Sequence, residues 1–580
     1  MIPFFIWLNL LWYYADLHLY NSNMIKLFDK NRRYKILAFS LLIFCVHYAI
    51  AAQDTVKIIF FQDSNIQQFR GVEWHRIQKD FPAGSYEKAI LKIDLGCATY
   101  GCCAWDYTYR GFFSKKISDS SFKDIEVARL ITPYSSFMRK GRHGYDSTWV
   151  HPYFYDVTDY LPLLKGDSIF YSAYTGGWDD KGKFGFKHTV TLYLIKGDTL
   201  RNPVNVLPAF QDNYRYQDSI QIDSMIKPFR FKLRPGENYA KLRTIITGHD
   251  QEGEFSPINF HVRLNGKPIY QKRLWKTDCD QNPIQPQSGT WIFPRTNWCP
   301  GEKVNEIEVH LADIKLESDN EIEIYFGKIE TESKEIHAIY SIESHVITYR
   351  YKDSFDLALV DIISPSRNPN YRMHNPSCSR IRFLIKNEGS QKVNTFDVKA
   401  GYKNGIGIVY RVFLDLMPQE VKTYELNFDE HGDTFVELEL MKRPLNVNFR
   451  NDFIKAEILQ TPKLQSREII LEISTTNDSS NNWLVIRSGN RDTILKKVYF
   501  NNNTTYKDTI QLAPNYCYQL ELFDYDKNYQ CGDGLSFWYS SRVMKKTSGI
   551  FKIYDAKTGK LLKVFNPDFG GKINYEFRIE

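Results

Sequence analysis

Three segments, far apart in the chain, set a carboxylate or an arginine among cysteines and aromatic rings. Residues 97–109 read CATYGCCAWDYTY, with Asp106 directly after Trp105. Residues 244–255 read TIITGHDQEGEF, a Gly-rich turn holding Glu254. Residues 278–302 read DCDQNPIQPQSGTWIFPRTNWCPGE, with Arg295 four residues before Cys299. A carboxylate can take a proton from water, and a second carboxylate in the same cleft raises one of the two pKa values toward general-base strength. A guanidinium beside them can hold one carboxylate ionised or steady a developing oxyanion. Taken singly, each residue has an ordinary alternative: Asp106 as a loop carboxylate, Arg295 as a brace for its own loop. Trp105, Trp178 and Trp298 offer flat apolar faces that suit a ligand ring or the protein interior equally.

The elements that would have to bring these residues together read as strands. Alternation at period two dominates: Ile307, Val309 and Leu311 alternate with polar residues, as do Ile322, Ile324 and Phe326. With LESDN between them, the pair predicts an antiparallel hairpin with one face buried. Turn pairs such as Asn265-Gly266 and the run Lys557-Thr558-Gly559-Lys560 mark further hairpins. No solenoid repeat is present, so β-sandwiches are the expected architecture. At 580 residues the chain exceeds a single core. Breaks near Gly197-Asp198, Tyr351-Lys352 and Thr461-Pro462 divide it into 53–200, 201–350, an immunoglobulin-like sandwich over 351–462 and a last β module over 463–580. Neither of the last two holds a constellation that reads as catalytic.

Composition agrees with a folded, strand-rich protein: 43% hydrophobic, 15% aromatic, 38 Tyr and 39 Phe. A net charge of +7 is mild over this length, and the only tight basic run, KNRRYK, lies at residues 30–35, so nucleic acid is not an expected partner. That run precedes an apolar stretch from Ile36 to Ile50 and the small residues Ala49-Ile50-Ala51, which together read as a signal peptide starting at Met24. Residues 1–52 are therefore assigned to an extension and signal, and the mature chain is expected to be exported (periplasmic, cell-surface or secreted), without a membrane span and monomeric. Eight cysteines follow Cys45, an even number that favours disulfides in an exported chain. Spacing predicts local loops closed by Cys97–Cys102, Cys279–Cys299 and Cys517–Cys531, with Cys103 and Cys378 left over. No metal or other cofactor is expected.

The three segments resemble the peptide:N-glycosidase F family. In that family a short disulfide loop is followed by Trp-Asp, and the resemblance makes Asp106 the primary catalytic carboxylate. Arg129-Leu-Ile-Thr-Pro-Tyr134 and Asp156-Val-Thr-Asp159 match the strand and turn that follow. Glu254 aligns with a glutamate of the family's second half, and Arg295 with the arginine of its disulfide-closed loop. The resemblance spans about residues 54–350. It implies an all-β fold of two side-by-side antiparallel jelly rolls with the site in the cleft between them, and an amidase that releases N-linked glycans from asparagine and leaves aspartate. N-glycosylated proteins or glycopeptides are the implied partners, bound by Arg295 and by Trp105, Trp178 and Trp298 as sugar platforms.

Two departures stand out. A second glutamate of the first half aligns with Gly176, and the arginine that follows the catalytic Asp is Tyr107. They leave room for a second reading, a catalytically weak or inactive glycoprotein-binding protein on the same fold. Copper-dependent peptide hydroxylases share paired jelly rolls but need clustered His ligands and a Met. The histidines here form no His-His or His-x-His pair.

Overall fold

In the computed structural model the described residues are 55–580 except 67–70, 104, 119–120, 136–144, 167, 178–184, 217–221, 288, 353, 403–406, 429–433, 442–450, 477–481, 490, 525–533 and 538–546. The signal segment, Trp178 and Cys531 lie outside them. Among the described residues no helix is long and apolar enough to cross a membrane.

Eight strands build the first sandwich: β1 (Thr55–Ile66), β2 (Gly71–Asp80), β3 (Tyr86–Cys97), β4 (Thr108–Lys116), β5 (Phe122–Ile131), β6 (Val150–Asp156), β7 (Ser168–Gly177) and β8 (Phe186–Lys196). Its sheets run β1-β8-β3-β6 and β2-β7-β4-β5. The second sandwich holds β9 (Arg201–Tyr216), β10 (Phe229–Lys232), β11 (Tyr239–His249), β12 (Ile258–Leu264), β13 (Lys267–Leu274), β14 (Ile307–His310), β15 (Asp319–Phe326) and β16 (Ala338–Tyr351). Its sheets run β14-β11-β16-β9 and β10-β15-β12-β13. Renumbered from its own first strand, the second order is the same as the first. The described residues of 55–351 thus form a tandem of two antiparallel jelly rolls.

Local sequence explains most of this. In β15, DNEIEIYF alternates exposed and buried side chains because one face meets the core and the other meets solvent. Asn265 and Gly266 both take positive φ, so the Asn-Gly pair turns β12 into β13 as a two-residue hairpin. The hairpin expected between residues 307–311 and 322–326 does not form. β14 pairs with β11, whereas β15 pairs with β10 and β12 in the facing sheet. Residues 311–318, which include the start of LESDN, carry the chain from one sheet to the other, a crossing that period-two alternation cannot distinguish from a tight turn.

Alternation fails where strands are covered on both sides. Seven consecutive residues of β5, and nine of β11, are buried. These strands face the opposite jelly roll, and their outward positions carry charge. Arg129 is fully buried and bonds Glu126, Thr247 Oγ1 (2.9 Å) and the Ser341 carbonyl (2.9 Å). Arg110 joins Glu126 to Glu343 across the junction. Burial alone would raise the Glu126 pKa, but Arg110 and Arg129 outweigh it and hold the carboxylate below its ordinary range. At the end of β5 the backbone crosses over as well. Gly301 N donates to Ile131 O (2.8 Å), Ile131 N to Glu302 O (3.0 Å) and Val304 N to Arg129 O (2.9 Å). Ile131, Ile245, Trp298 and Val304 form a small apolar cluster at this seam.

Two smaller β-sandwiches follow. One packs sheets of three and four strands drawn from Leu357–Glu457, and the other packs sheets of five and four drawn from Lys463–Ile579, each with its own core. Cys97–Cys102 and Cys279–Cys299 are bonded as their spacing predicts. The third pair is a correction. Cys517 bonds Cys378, not Cys531, and so ties the two last sandwiches together across 139 residues. Sequence spacing favours short loops and carries no information on a long-range closure of this kind.

Candidate active site

The seam between the jelly rolls brings the three sequence segments together. Asp106 stands between the Cys97–Cys102 loop and β4. Its position is fixed by its neighbour: Tyr107 N donates to Thr132 Oγ1 (2.7 Å), and Thr132 N donates back to Tyr107 O (2.8 Å). Glu254 lies on the one-turn helix Gln251–Phe255 that follows β11. A side chain at Gly248 would meet the Gly253 carbonyl at 1.9 Å, so only glycine lets this turn fold back onto β11. The Glu254 carbonyl accepts from Thr296 N at 3.0 Å, which stitches the turn to the disulfide loop.

Arg295 is fully buried, and each of its three nitrogens donates a hydrogen bond. Its Nε donates to Glu254 Oε1 (2.7 Å), Nη1 to Phe293 O (2.9 Å) and Nη2 to Thr290 Oγ1 (2.8 Å). The guanidinium lies between Phe255 and Trp298, about 5 Å from each ring centre. It is both the brace of its loop and the ion-pair partner of Glu254, and its burial places it beneath the site surface, not in the substrate contact expected from the resemblance.

Asp106 and Glu254 are close enough to interact. Burial first, and the Glu254 charge second, push the Asp106 pKa to about 7, against the pull of Arg295 and a hydrogen bond with the Tyr134 hydroxyl. Burial also raises Glu254, with the Arg295 ion pair opposing it. Tyr134 is raised too, by its own burial and then by Asp106, so its hydroxyl remains a donor at physiological pH. Near neutrality Asp106 is therefore divided between acid and base while Arg295 neutralises its neighbour. That is the condition for moving a proton to or from water.

Tyr134 is the residue that sequence reasoning missed. It closes the Arg129–Tyr134 segment, where only the strand match was read. Its hydroxyl meets Asp106 and Thr290, and its backbone N donates to Gln287 Oε1 (2.9 Å), so it links the first jelly roll to the disulfide loop of the second. Trp105 is 56% exposed and stands edge-on to Tyr134 at 6.3 Å, open to a ligand. Trp298 is 3% exposed and donates its indole N–H to Gly248 O (2.8 Å). The expected sugar contact at Trp298 gives way to packing beneath Arg295. Gly176 is the penultimate residue of β7, beside the start of β4. Because Tyr109 pairs with Thr175, Gly176 falls level with Thr108, on the face that Arg110 turns toward the second jelly roll. Glu252 is buried and accepts from His337 N (2.8 Å). Among the described residues no group of His, Cys, Asp or Glu is arranged to hold a metal ion.

Residues 215–346 match the family model described as Peptide-N-glycosidase F, C terminal. The matched span contains Glu254 and Arg295 and runs from the end of β9 into β16, within the second jelly roll. No curated protein matches the chain. Among solved structures, recombinant peptide: N-glycanase F (PNGase F) is similar at 23% identity and a TM-score of 0.42, covering 52% of this chain and 97% of that one. PNGase F from Flavobacterium meningosepticum, described as a glycosylasparaginase, is similar at 22% identity and a TM-score of 0.41, covering 52% and 97%. PNGF-II is similar at 19% identity and a TM-score of 0.40, covering 52% and 66%. The family model thus matches the second sandwich, and the first sandwich repeats its strand order.

Proposed function

We propose that the chain is an exported peptide N-glycosidase, an amidase that hydrolyses the side-chain amide of a glycosylated asparagine. The observation that carries this reading is the convergence of Asp106, from the first jelly roll, with the Glu254–Arg295 pair of the second, which leaves Asp106 poised near pH 7. Ionised Asp106 takes a proton from a water as that water's oxygen bonds to the amide carbon. The carbon–nitrogen bond then breaks, the proton passes to the departing glycosylamine, and aspartate remains in the peptide. Tyr134 and the buried Arg295 set the charge on the two carboxylates through the cycle, and exposed Trp105 offers an apolar face to the sugar nearest the bond. The linkage that fits is the one between asparagine and the innermost glycan residue, because an amide needs only a general base and polarisation. The test is incubation of the purified protein with a denatured N-glycoprotein. Free glycan together with aspartate at the former glycosylation site supports the reading. Intact glycoprotein bound but not cleaved would instead favour a glycoprotein-binding protein on this fold.

A further inference from the structure

The last two sandwiches do not merely trail behind the site. The disulfide loop Cys279–Cys299, which carries Thr290 and Arg295, is gripped from their side at two points. From the third sandwich, Gln285 Nε2 donates to Met373 Sδ (2.8 Å) and Arg372 Nη1 reaches Gln285 O (3.5 Å). The same short helix (Pro369–His374) is anchored to the first jelly roll, where Asn370 Oδ1 bonds His151 Nε2 (2.9 Å) and Asn370 Nδ2 donates to Pro152 O (3.2 Å). From the fourth sandwich, Gly571 N donates to Asp280 O (3.2 Å). Gly570 lies so close that a Cβ on it would stand 2.1 Å from Asp280 O and 3.0 Å from the Trp291 ring. Its φ of +69° also excludes an unstrained side chain. Cys378–Cys517 ties the two gripping sandwiches to each other.

Trp291 transmits this contact. It is buried, its carbonyl lies 3.5 Å from Arg295 Nη1, and its neighbour Thr290 bonds both Arg295 and Tyr134. The close contact of Gly570 with Asp280 and Trp291 therefore fixes the loop segment from which Arg295 reaches Glu254 and Thr290 holds the Tyr134 hydroxyl that meets Asp106. We propose that the Gly570-Gly571 turn of the C-terminal sandwich, helped by Met373, is a positioning element of the catalytic centre, so that the appended sandwiches complete the amidase rather than only extend it. This rests on the reading given under Proposed function. Sequence alone points the other way, since 351–580 holds no catalytic constellation and the paired jelly rolls hold every charged site residue.

The experiment compares full-length wild type with Gly570→Ala and Met373→Ala. The measurements are kcat and KM on an N-glycopeptide across pH, thermal unfolding, and hydrogen exchange of the 279–299 amides. A misplacement on the scale of a methyl group at a catalytic loop is expected to lower kcat by about 10- to 100-fold for Gly570→Ala, with a smaller fall for Met373→Ala and little change in KM. The acid limb of kcat/KM should move up, because Arg295, which lowers the Asp106 pKa, is displaced. Loop amides should exchange faster while the jelly-roll cores stay protected. Wild-type kcat, pH profile and loop exchange in a folded Gly570→Ala protein would overturn the proposal. Should that variant fail to fold, the same unchanged values in Met373→Ala would do so. If the wild type itself releases no glycan, the amidase reading fails, and the exchange comparison alone still decides whether the turn holds the loop.

Discussion

Replacing Glu254 by glutamine separates the two forces acting on Asp106. The rise of the Asp106 pKa from 3.8 to about 7 is a net effect, with burial the largest contribution, the Glu254 charge the next, and Arg295 and Tyr134 opposing them. The substitution removes the like charge and also frees Arg295 from its 2.7 Å ion pair, leaving its positive charge uncompensated beside Asp106. Both changes favour ionised Asp106. Since burial persists, the pKa should fall by on the order of one unit, a difference of about 1.4 kcal/mol between the two protonation states. The free-enzyme limb of kcat/KM reports this group, so the acid limb should move down by on the order of one pH unit, whatever happens to the plateau rate. Arg295→Met should move the limb the opposite way. The carboxyl carbon signal of Asp106, followed by NMR titration, gives the same information without turnover. An acid limb and titration that stay in place in Glu254→Gln, or move upward, would refute the claim that the two carboxylates share one electrostatic environment.

Other consequences can be checked independently. Asp280 is fully buried, and burial first, then Asp278, raises its pKa to about 7, which the nearby amides of Asp280 and Gln281 only partly offset. A pKa raised in the fold means that stability is fully present below the unfolded value and is lost as pH climbs from about 4 to 7. Asp280→Asn should therefore melt like wild type at pH 4 and gain up to about 4 kcal/mol at pH 8. Equal melting of the two proteins at pH 8 would contradict the buried carboxyl. Gly176→Glu should add a like charge on the face turned to the cleft and move the acid limb up, and an unmoved limb would mean that position 176 does not face the site. Peptide mapping without reduction should recover Cys378 joined to Cys517, whereas a Cys517–Cys531 peptide would restore the local pairing that spacing predicts.

Much of the fold was legible because single-sided strands write their burial into the sequence at period two, as β15 does, and because Asn265-Gly266 carries its turn in its residue types. What remained hidden depends on contacts between elements. Nothing in LESDN says that the chain crosses from one sheet to the other after β14. Continuous burial in β5 and β11 reflects a second jelly roll on the outer face, which local pattern cannot supply. Asp106, Glu254 and Arg295 were singled out by the motifs around them, and the fold brings the three to one seam. Tyr134 was not, because an aromatic after Thr-Pro looks like packing until the disulfide loop is seen folded over it. Trp298 shows the reverse error: a tryptophan in a site motif reads as a ligand platform, yet it lies under Arg295 with its indole N–H satisfied. The grip of Gly570 on Trp291 joins residues about 280 positions apart and left no local trace.

The central claim is that a carboxylate poised by burial and a second acid performs hydrolysis at an asparagine-linked glycan. Its most direct test is glycan release from a denatured N-glycoprotein by wild type and by Asp106→Asn, with both proteins shown to be folded. Free glycan and a new aspartate are expected with the wild type, and loss of both in the variant, where the shape is kept but the base is gone. Release by Asp106→Asn at the wild-type rate would contradict the claim.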